Sequence, residues 1–327
     1  PLESNQNYFT YKRGTGIYSM NSSFTVDKLI PSGTDSSEFI SLYRGIEAYG
    51  LDPDKTMVVN ETSFKSLCKA IYLSGIDNAR ITLNNIRLYD SHVFLQDMAY
   101  GVYLDYCTAY KVEENILKKD TAYHGSSVPD HYGIVVSNSL DDNNFIYNNT
   151  LKKMRTGILA QGDNRGPGNT GLQIKCNEFQ DCSFDIVVAP DLISAPGTCG
   201  IASSQGSGSG QTGPAGNLFD KDVPPWDSSD YCNKRACGAI FYYHNNKLNS
   251  PPASWPSDFS TSTITLKPTT YQYIKATSCP SQIDLGFPQL ILILDDAMDS
   301  MEDMVNVRIL AEEQNYQFQL ISSVRTP

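Results

Sequence analysis

Short stretches of alternating apolar and polar residues recur along the chain, separated by Gly, Asn, Asp and Ser. Each stretch is about four to six residues long, which is typical of a β-strand rather than of a helix. Six of them share a motif in which a β-branched apolar residue follows a small or short polar one: Arg44-Gly45-Ile46, Lys69-Ala70-Ile71, Tyr100-Gly101-Val102, Tyr132-Gly133-Ile134, Thr156-Gly157-Ile158 and Phe184-Asp185-Ile186. The middle residues are 24 to 32 positions apart, so the strands belong to a repeat of variable length.

A second motif runs almost in phase with the first. It has an apolar residue, two variable residues, an asparagine, one more residue and another apolar residue. The asparagines are Asn60, Asn84, Asn115, Asn149 and Asn177, with Asn60 in a weaker copy, and their steps are 24 to 34 residues. Asparagine tolerates the left-handed backbone conformation of tight turns, and its amide can hydrogen-bond to an identical neighbour in a stack. We therefore predict that these five asparagines form a ladder between successive repeats.

Strands this short cannot bury their inner faces alone, so successive repeats must stack. The period is too short for a propeller blade, it lacks the 3.6-residue spacing of helical repeats, and no leucine ladder is present. The pattern predicts an all-β fold, a parallel β-helix over residues 1–220 with about seven or eight coils stacked at the strand spacing. Residues 221–289 are rich in Pro and are predicted to form an irregular or β cap. Residues 290–327 have helical spacing and are predicted to be a short terminal α-helix, a tail that leads to a missing C-terminal region.

Composition and charge exclude some classes of function. Only 19% of residues are charged, and 25 basic against 36 acidic residues leave a net charge of −11. A protein that binds nucleic acid or an anionic membrane needs clustered positive charge, which this balance does not favour. The best apolar run, Leu290–Leu294, is far too short to cross a bilayer, so we expect a protein that is not transmembrane. A β-helix explains the low charge, because it can cover its walls with Asn, Ser, Thr and Tyr.

Eight cysteines are present, and their spacing bears on the compartment. No Cys-x-x-Cys pair occurs, which argues against a zinc ribbon or a thioredoxin-type site. Cys176 with Cys182 and Cys232 with Cys237 are close in sequence, and we predict a disulfide in each pair. His244 could complete a zinc site with Cys232 and Cys237, but we favour the disulfide. Disulfides indicate an extracellular or cell-surface location.

Several segments resemble a known group of proteins. They are Gly157-Ile158 with Ile174–Phe179, then Cys237–His244, then Ala276–Ser281. These segments resemble the right-handed parallel β-helix repeats of large surface and secreted proteins of the Bacteroidota, many of which are exported by the type IX secretion system. The resemblance covers residues 14 to 281. It implies a right-handed, single-stranded, pectin-lyase-like solenoid and a partner in the outer-membrane secretion machinery.

Polysaccharide lyases and glycoside hydrolases share this architecture, so candidate catalytic residues must be considered. A hydrolase needs paired carboxylates, and a lyase needs bound calcium with a basic residue. Asp105, Asp141 and Asp142 lie near predicted turns, and Arg155 lies within one or two coils of them; these four residues form the candidate set. The short motifs of polygalacturonases are absent, as is the spacing of a calcium loop, so we predict no cofactor and no metal site, with calcium left as an unsupported option.

Tyrosines could instead provide a surface for sugars, because aromatic rings stack on sugar rings. The candidates are Tyr100, Tyr103, Tyr106, Tyr110, Tyr123 and Tyr132.

Our leading expectation is a non-catalytic extracellular β-helix segment of a larger bacterial cell-surface or secreted protein. It would act as an adhesin, a stalk or a secretion substrate that binds glycans or surface partner proteins. The alternative is a polysaccharide lyase or glycoside hydrolase that acts in a groove along the β-helix.

Overall fold

A computed structural model describes residues 14–28, 37–51, 55–88, 98–119, 131–190, 199–220, 229–234, 237–245, 256 and 263–283. The strands in chain order are β1 (Thr15–Met20), β2 (Phe24–Val26), β3 (Glu38–Ile40), β4 (Arg44–Tyr49), β5 (Met57–Asn60), β6 (Ser63–Leu67), β7 (Lys69–Ser74), β8 (Arg80–Thr82), β9 (Asn85–Leu88), β10 (Ala99–Asp105), β11 (Lys111–Glu113), β12 (Ile116–Lys119), β13 (His131–Ser137), β14 (Asn143–Tyr147), β15 (Thr150–Lys152), β16 (Thr156–Gln161), β17 (Gly171–Lys175), β18 (Glu178–Gln180), β19 (Phe184–Ala189), β20 (Ser204–Gln205), β21 (Ser229–Asn233), β22 (Ala239–Tyr243) and β23 (Ile264–Pro268). One short helix, α1, spans Lys275–Ser278.

The strands form long parallel sheets. Sheet A has eight strands in the order β1-β4-β7-β10-β13-β16-β19-β21. Sheet B has the order β17-β14-β11-β8-β5-β2, and sheet C has the order β18-β15-β12-β9-β6-β3. From β1 to β19 the chain visits the three sheets in turn, and each strand pairs with the strand three positions earlier. The fold is therefore all-β, with the strand order expected of a parallel β-solenoid, and we call one pass through the three sheets a coil.

The interior is filled by apolar residues in register from coil to coil. In sheet A one row runs from Ile46 through Ile71, Val102, Ile134 and Ile158 to Ile186, all almost completely buried. Burial of one such side chain contributes about 1.5–3 kcal/mol relative to its exposure. The repeated apolar position of the first motif is thus the core of the solenoid.

The small residue of the same motif faces a crowded wall. A Cβ added at Gly133 would lie 2.4 Å from Cδ2 of Leu151 and 2.5 Å from the carbonyl oxygen of Gly157. Leu151 belongs to β15 of sheet C, so its side chain packs against sheet A at this point. Only a very small residue fits at Gly133 without displacing its neighbours, which explains the glycine there; the last copy of the motif carries Asp185 at this position.

Asparagines bridge the coils between sheets B and C. Asn115 Oδ1 accepts from the backbone N–H and the side-chain amide of Asn84, both at 2.9 Å. The same pair of hydrogen bonds runs from Asn115 to Asn149, from Asn149 to Asn177, and from Asn177 to Asn217, with the second residue of each pair accepting through its Oδ1. Four predicted asparagines therefore form a ladder, and Asn217 extends it.

Asn60 is not part of this ladder, which corrects the prediction. Val59 is in register with Ile81, and Asn60 with Thr82, so Asn60 lies two residues before the ladder position. Thr62 occupies that position, and its backbone N–H donates to Asn84 Oδ1. The weaker copy of the motif is two residues out of phase with the ladder. Asn60 instead bonds to Asp27 and Thr82.

The disulfide pairing also differs from the prediction. The bonds are Cys176–Cys279 and Cys199–Cys237, and Cys182 and Cys232 are buried without forming disulfides. Cys182 points into the interior cluster, whereas Cys176 packs with Cys279 in a separate cluster on the outside. In a solenoid, residues close in sequence point to different sides, and stacking brings distant residues together.

Parallel pairing runs beyond residue 220, since β21 pairs with β19 in sheet A. A further parallel sheet has the order β20-β22-β23 and joins β20, from the predicted β-helix range, to β22 and β23, from the predicted cap. The chain divides into two compact units, residues 1–280 and 281–327. The predicted helix from residue 290 lies outside the described residues. Among the residues that the structure describes, no helix has both the length and the apolar character needed to cross a membrane.

Candidate binding site on the outer face of sheet A

The outer face of sheet A carries a second apolar cluster that is separate from the interior. In β10, Val102 and Leu104 belong to the interior, whereas Tyr100 and Tyr103 belong to the outer cluster. Strand alternation explains Tyr103, which lies between Val102 and Leu104, because successive side chains point to opposite faces. Tyr100 does not follow this alternation, since the pairing of β10 skips Gly101. The outer face therefore combines aromatic and apolar side chains with the polar residues described below.

Five tyrosines are in contact on this face, and we call them the tyrosine cluster: Tyr18, Tyr49, Tyr72, Tyr100 and Tyr103. The ring centroids are 5.9 Å apart for Tyr18 and Tyr49, and 5.7 Å apart for Tyr49 and Tyr72. Tyr72 lies 5.4 Å from Tyr103, which meets Tyr100 edge-on at 5.2 Å. These distances are those of interacting aromatic pairs. The cluster spans four neighbouring strands of sheet A.

A buried carboxylate lies beside the cluster. Glu47 accepts from Arg44 Nη1 at 2.7 Å through Oε2 and from the Tyr49 hydroxyl at 2.8 Å through Oε1. Burial lowers the pKa of Arg44, but the charge and hydrogen bond of Glu47 outweigh it and raise the pKa above its usual value. Both oxygens of Glu47 are thus engaged in a charge-assisted network that fixes the Tyr49 ring.

A second carboxylate, Asp105, borders the cluster on the other side. The Tyr72 hydroxyl donates to Asp105 Oδ2 at 3.5 Å, and Gln161 Nε2 donates to the Tyr103 hydroxyl at 2.9 Å. Burial, followed by the charge of Asp105, raises the pKa of the Tyr72 hydroxyl. Tyr72 therefore stays a neutral donor at physiological pH.

The structure does not bring the predicted catalytic residues together. Asp105 is the last residue of β10. It is in register with Ser137 on β13, which is in turn in register with Gln161, the last residue of β16. Arg155 precedes the first residue of β16, so it lies about 20 Å away along the strands. Its guanidinium lies over the ring of Phe184 at 5.9 Å.

Asp141 and Asp142 are exposed in the turn between β13 and β14. They occupy a loop rather than the outer face of sheet A. Of the four residues predicted for catalysis, only Asp105 borders the tyrosine cluster.

The predicted tyrosines fall into different environments. Tyr100 and Tyr103 belong to the tyrosine cluster, and Tyr132 packs against the outer apolar cluster. Tyr106 is exposed, and Tyr110 is completely buried in the interior. Tyr123 lies outside the described residues. The candidate sugar-binding surface therefore contains two of the six.

Sequence reasoning missed Glu47 and three of the tyrosines. Glu47, Tyr18 and Tyr72 could be found from the repeat, because the outer row lies two residues after the small residue of each motif, whereas Tyr49 lies four residues after Gly45. Gly45 leads to Glu47, Ala70 to Tyr72 and Gly101 to Tyr103. Only the paired register shows that these positions share one face.

No group of three His, Cys, Asp or Glu side chains that could hold a metal ion occurs within the described part of the chain. The zinc alternative for His244, Cys232 and Cys237 is wrong, since Cys237 is bonded to Cys199. His244 is buried and its Nε2 lies 3.1 Å from the carbonyl oxygen of Gln211. The site's chemistry therefore comes from aromatic rings, carboxylates and an arginine.

Neither a protein-family model, nor a curated protein, nor a solved structure matches this chain.

Proposed function

We propose that this chain is a non-catalytic, extracellular β-helix segment of a larger bacterial cell-surface or secreted protein, and that it binds glycans through the tyrosine cluster. The observation that carries the proposal is the set of five contacting tyrosines on an outer sheet face, flanked by Glu47 and Asp105. Aromatic rings pack on the apolar faces of sugars, and carboxylates accept hydrogen bonds from sugar hydroxyls. The two disulfides support an oxidising compartment.

The same proposal includes the finer features of the fold. We propose a right-handed solenoid of seven to eight coils, because crossovers between parallel strands are right-handed in about 98% of cases. Export by the type IX machinery and a role as an adhesin or stalk rest on the resemblance of the repeat segments. A protein partner on the outer membrane would meet this chain during export.

Glycan binding is tested by titrating the purified protein, by calorimetry, with a panel of neutral and acidic polysaccharides, with and without calcium. Tyr18→Ala removes an exposed ring of the cluster, and we expect the affinity to fall about tenfold, or about 1.4 kcal/mol. Tyr106→Ala is the matched control, because Tyr106 is similarly exposed but lies outside the cluster. The proposal fails if no glycan binds, or if both variants weaken binding equally.

Polysaccharide cleavage is the second candidate function, and one observation favours it. Glu47 and Asp105 lie on the same face of sheet A, two strands and two residues apart, so their Cα atoms are about 12 Å apart. A pair of carboxylates on one face is what a glycoside hydrolase needs. Against it, both oxygens of Glu47 are already hydrogen-bonded, which suits positioning better than proton transfer.

Cleavage is measured by the release of reducing ends or unsaturated sugars from the same panel. Activity that is lost in Glu47→Gln and in Asp105→Asn, with binding retained, would replace the binding function with an enzymatic one. Activity that is unchanged in both variants would mean that these carboxylates are not catalytic.

A further inference from the structure

Tyr18 and Tyr49 form the outermost pair of rings in the tyrosine cluster. Tyr18 lies on β1 and Tyr49 on β4, and their ring centroids are 5.9 Å apart with the ring planes tilted by 51°. The two strands pair in parallel, with Tyr18 opposite Glu47 and Met20 opposite Tyr49, so the two tyrosines are diagonal neighbours. Two phenol rings from neighbouring coils are therefore in direct contact.

The two rings differ in their exposure to solvent. Tyr18 is 59% exposed. Tyr49 is half-buried, and on its other side its ring centroid lies 5.7 Å from that of Tyr72. A dissolved oxidant can therefore reach the Tyr18 ring directly, and that ring has room to turn towards Tyr49.

A proton acceptor is already in place beside the second ring. The Tyr49 hydroxyl donates to Glu47 Oε1 at 2.8 Å. Burial, followed by this hydrogen bond, raises the pKa of the Tyr49 hydroxyl, so Tyr49 keeps its proton at neutral pH. A phenol loses an electron far more easily when its proton leaves at the same time, and Glu47 is placed to take that proton.

We propose that Tyr18 and Tyr49 are an oxidative modification site at which dityrosine forms. Each phenol loses one electron and one proton, and the two phenoxyl radicals join by a bond between the ring carbons next to their oxygens. The hydrogen on each joined carbon then moves to the oxygen, which restores both aromatic rings. The oxidant is hydrogen peroxide acting through a haem peroxidase; it accepts the two electrons and two protons and becomes two molecules of water.

The cross-link would join the first coil to the second. Among the described strands, β1 pairs only with β4, so it is held in sheet A from one side. A covalent bond between side chains of these two strands would keep β1 in place and would restrict the unfolded chain as a disulfide does. We therefore expect slower hydrogen–deuterium exchange in residues 15–26 after oxidation.

The site is tested by treating the purified protein with hydrogen peroxide and a haem peroxidase, followed by trypsin and mass spectrometry. Trypsin releases residues 14–28, whose only tyrosine is Tyr18, and residues 45–55, whose only tyrosine is Tyr49. We expect these two peptides to be joined, with the sum of their masses less two hydrogen atoms. The yield per chain should stay constant on dilution, because both rings belong to one chain.

Three variants locate the reaction. Tyr18→Phe should abolish the joined peptides. Tyr106→Phe is the matched control and should leave them unchanged, because Tyr106 is 51% exposed but has no ring contact within the described part of the chain. Glu47→Gln should slow the joining about tenfold or more, because the positioned proton acceptor is lost. Circular dichroism verifies that each variant folds.

Two results would overturn the site. One is joining of residues 45–55 to residues 70–80, which contain Tyr72, or joining found only in dimers with a yield that falls on dilution. The other is absence of the joined peptides both with the peroxidase and with a photo-excited ruthenium complex and persulfate, which form a smaller oxidant. The cross-link does not depend on glycan binding, so neither result bears on the proposed function.

Discussion

Single asparagines connect neighbouring coils through buried hydrogen bonds. Asn149 accepts from the backbone and side chain of Asn115, and its own amide donates to the Val112 carbonyl and to Asn177. Because it is almost completely buried, water cannot replace these partners. A buried polar group left without a partner costs about 1–3 kcal/mol.

Replacing Asn149 by Ala should therefore lower the free energy of unfolding by about 3 kcal/mol, since it removes the acceptor of the buried Asn115 N–H together with the side-chain hydrogen bonds to Val112 and Asn177. The exposed Asn143 on β14 provides a control, and Asn143→Ala should change stability by less than about 0.5 kcal/mol. Urea unfolding followed by circular dichroism measures both. Equal effects in the two variants would argue against the ladder as a source of stability.

A single histidine makes stability depend on pH. Burial lowers the pKa of His244, the hydrogen bond with Gln211 partly raises it, and the charge of Lys175 lowers it further. The unfolded chain, with an ordinary histidine pKa of about 6.5, therefore takes up a proton before the folded chain does. The stability from neutral His244 is present above about pH 6.5 and is lost as the pH falls below it.

Comparison of the wild type with His244→Gln isolates this contribution, since glutamine keeps a donor but does not titrate. The difference between their free energies of unfolding should shrink as the pH is lowered from 7.5 to 5, as measured by urea unfolding at each pH. A difference that stays constant over that range would show that His244 does not titrate during unfolding.

At the scale of elements, disulfides fix segments that the sheets alone leave at the surface. Cys176–Cys279 ties the segment around α1 to the turn after β17, and Lys275 pairs with Glu178 nearby. The bond spans 103 residues, whereas Cys199–Cys237 spans 38. A longer span removes more entropy from the unfolded chain, by the chain-entropy estimate about 4.7 against about 3.9 kcal/mol.

Cys279→Ser should therefore destabilise the chain at least as much as Cys237→Ser and should also expose residues 263–283 to protease. Limited proteolysis with mass spectrometry reports the second effect directly. If residues 263–283 are cleaved no faster in Cys279→Ser than in the wild type, the disulfide is not what holds this segment.

At the scale of the whole solenoid, stability depends on neighbours along one direction. Strands β10, β13 and β16 each pair on both sides in sheet A, whereas β1 pairs only with β4 among the described strands. Both disulfides involve residues from Cys176 onward. Solenoids open locally from the end that has fewer contacts, so the β1 end should open first.

Hydrogen–deuterium exchange of peptides should therefore be fastest in residues 15–26 and slowest in strands β10, β13 and β16. Reduction of both disulfides should speed exchange in β22, β23 and α1 and leave β10, β13 and β16 almost unchanged. Uniform exchange across the coils would indicate a single cooperative unit instead.

Much of this architecture could be read from residue types. The Gly133 position needs a minimal side chain at a close approach, and Asn84 to Asn177 must repeat because each amide serves its neighbour. Such constraints recur in every coil and so appear as a period in the sequence. Asn60 was misplaced because a single weak copy does not fix the phase; only pairing of Val59 with Ile81 does.

The sequence by itself determined the all-β class, the parallel stacking of the strands, the ladder from Asn84 to Asn177 and the negative net charge. The first three of these depend on a local periodicity of residue types that can be read from the sequence, and the charge depends only on composition. Tertiary structure alone decided the disulfide partners, the separation of Arg155 from Asp105 and the tyrosine cluster beside Glu47. The physical reason is that stacking brings together residues about 25 to 100 positions apart, and which of them meet depends on the register between coils and on the length of every intervening loop.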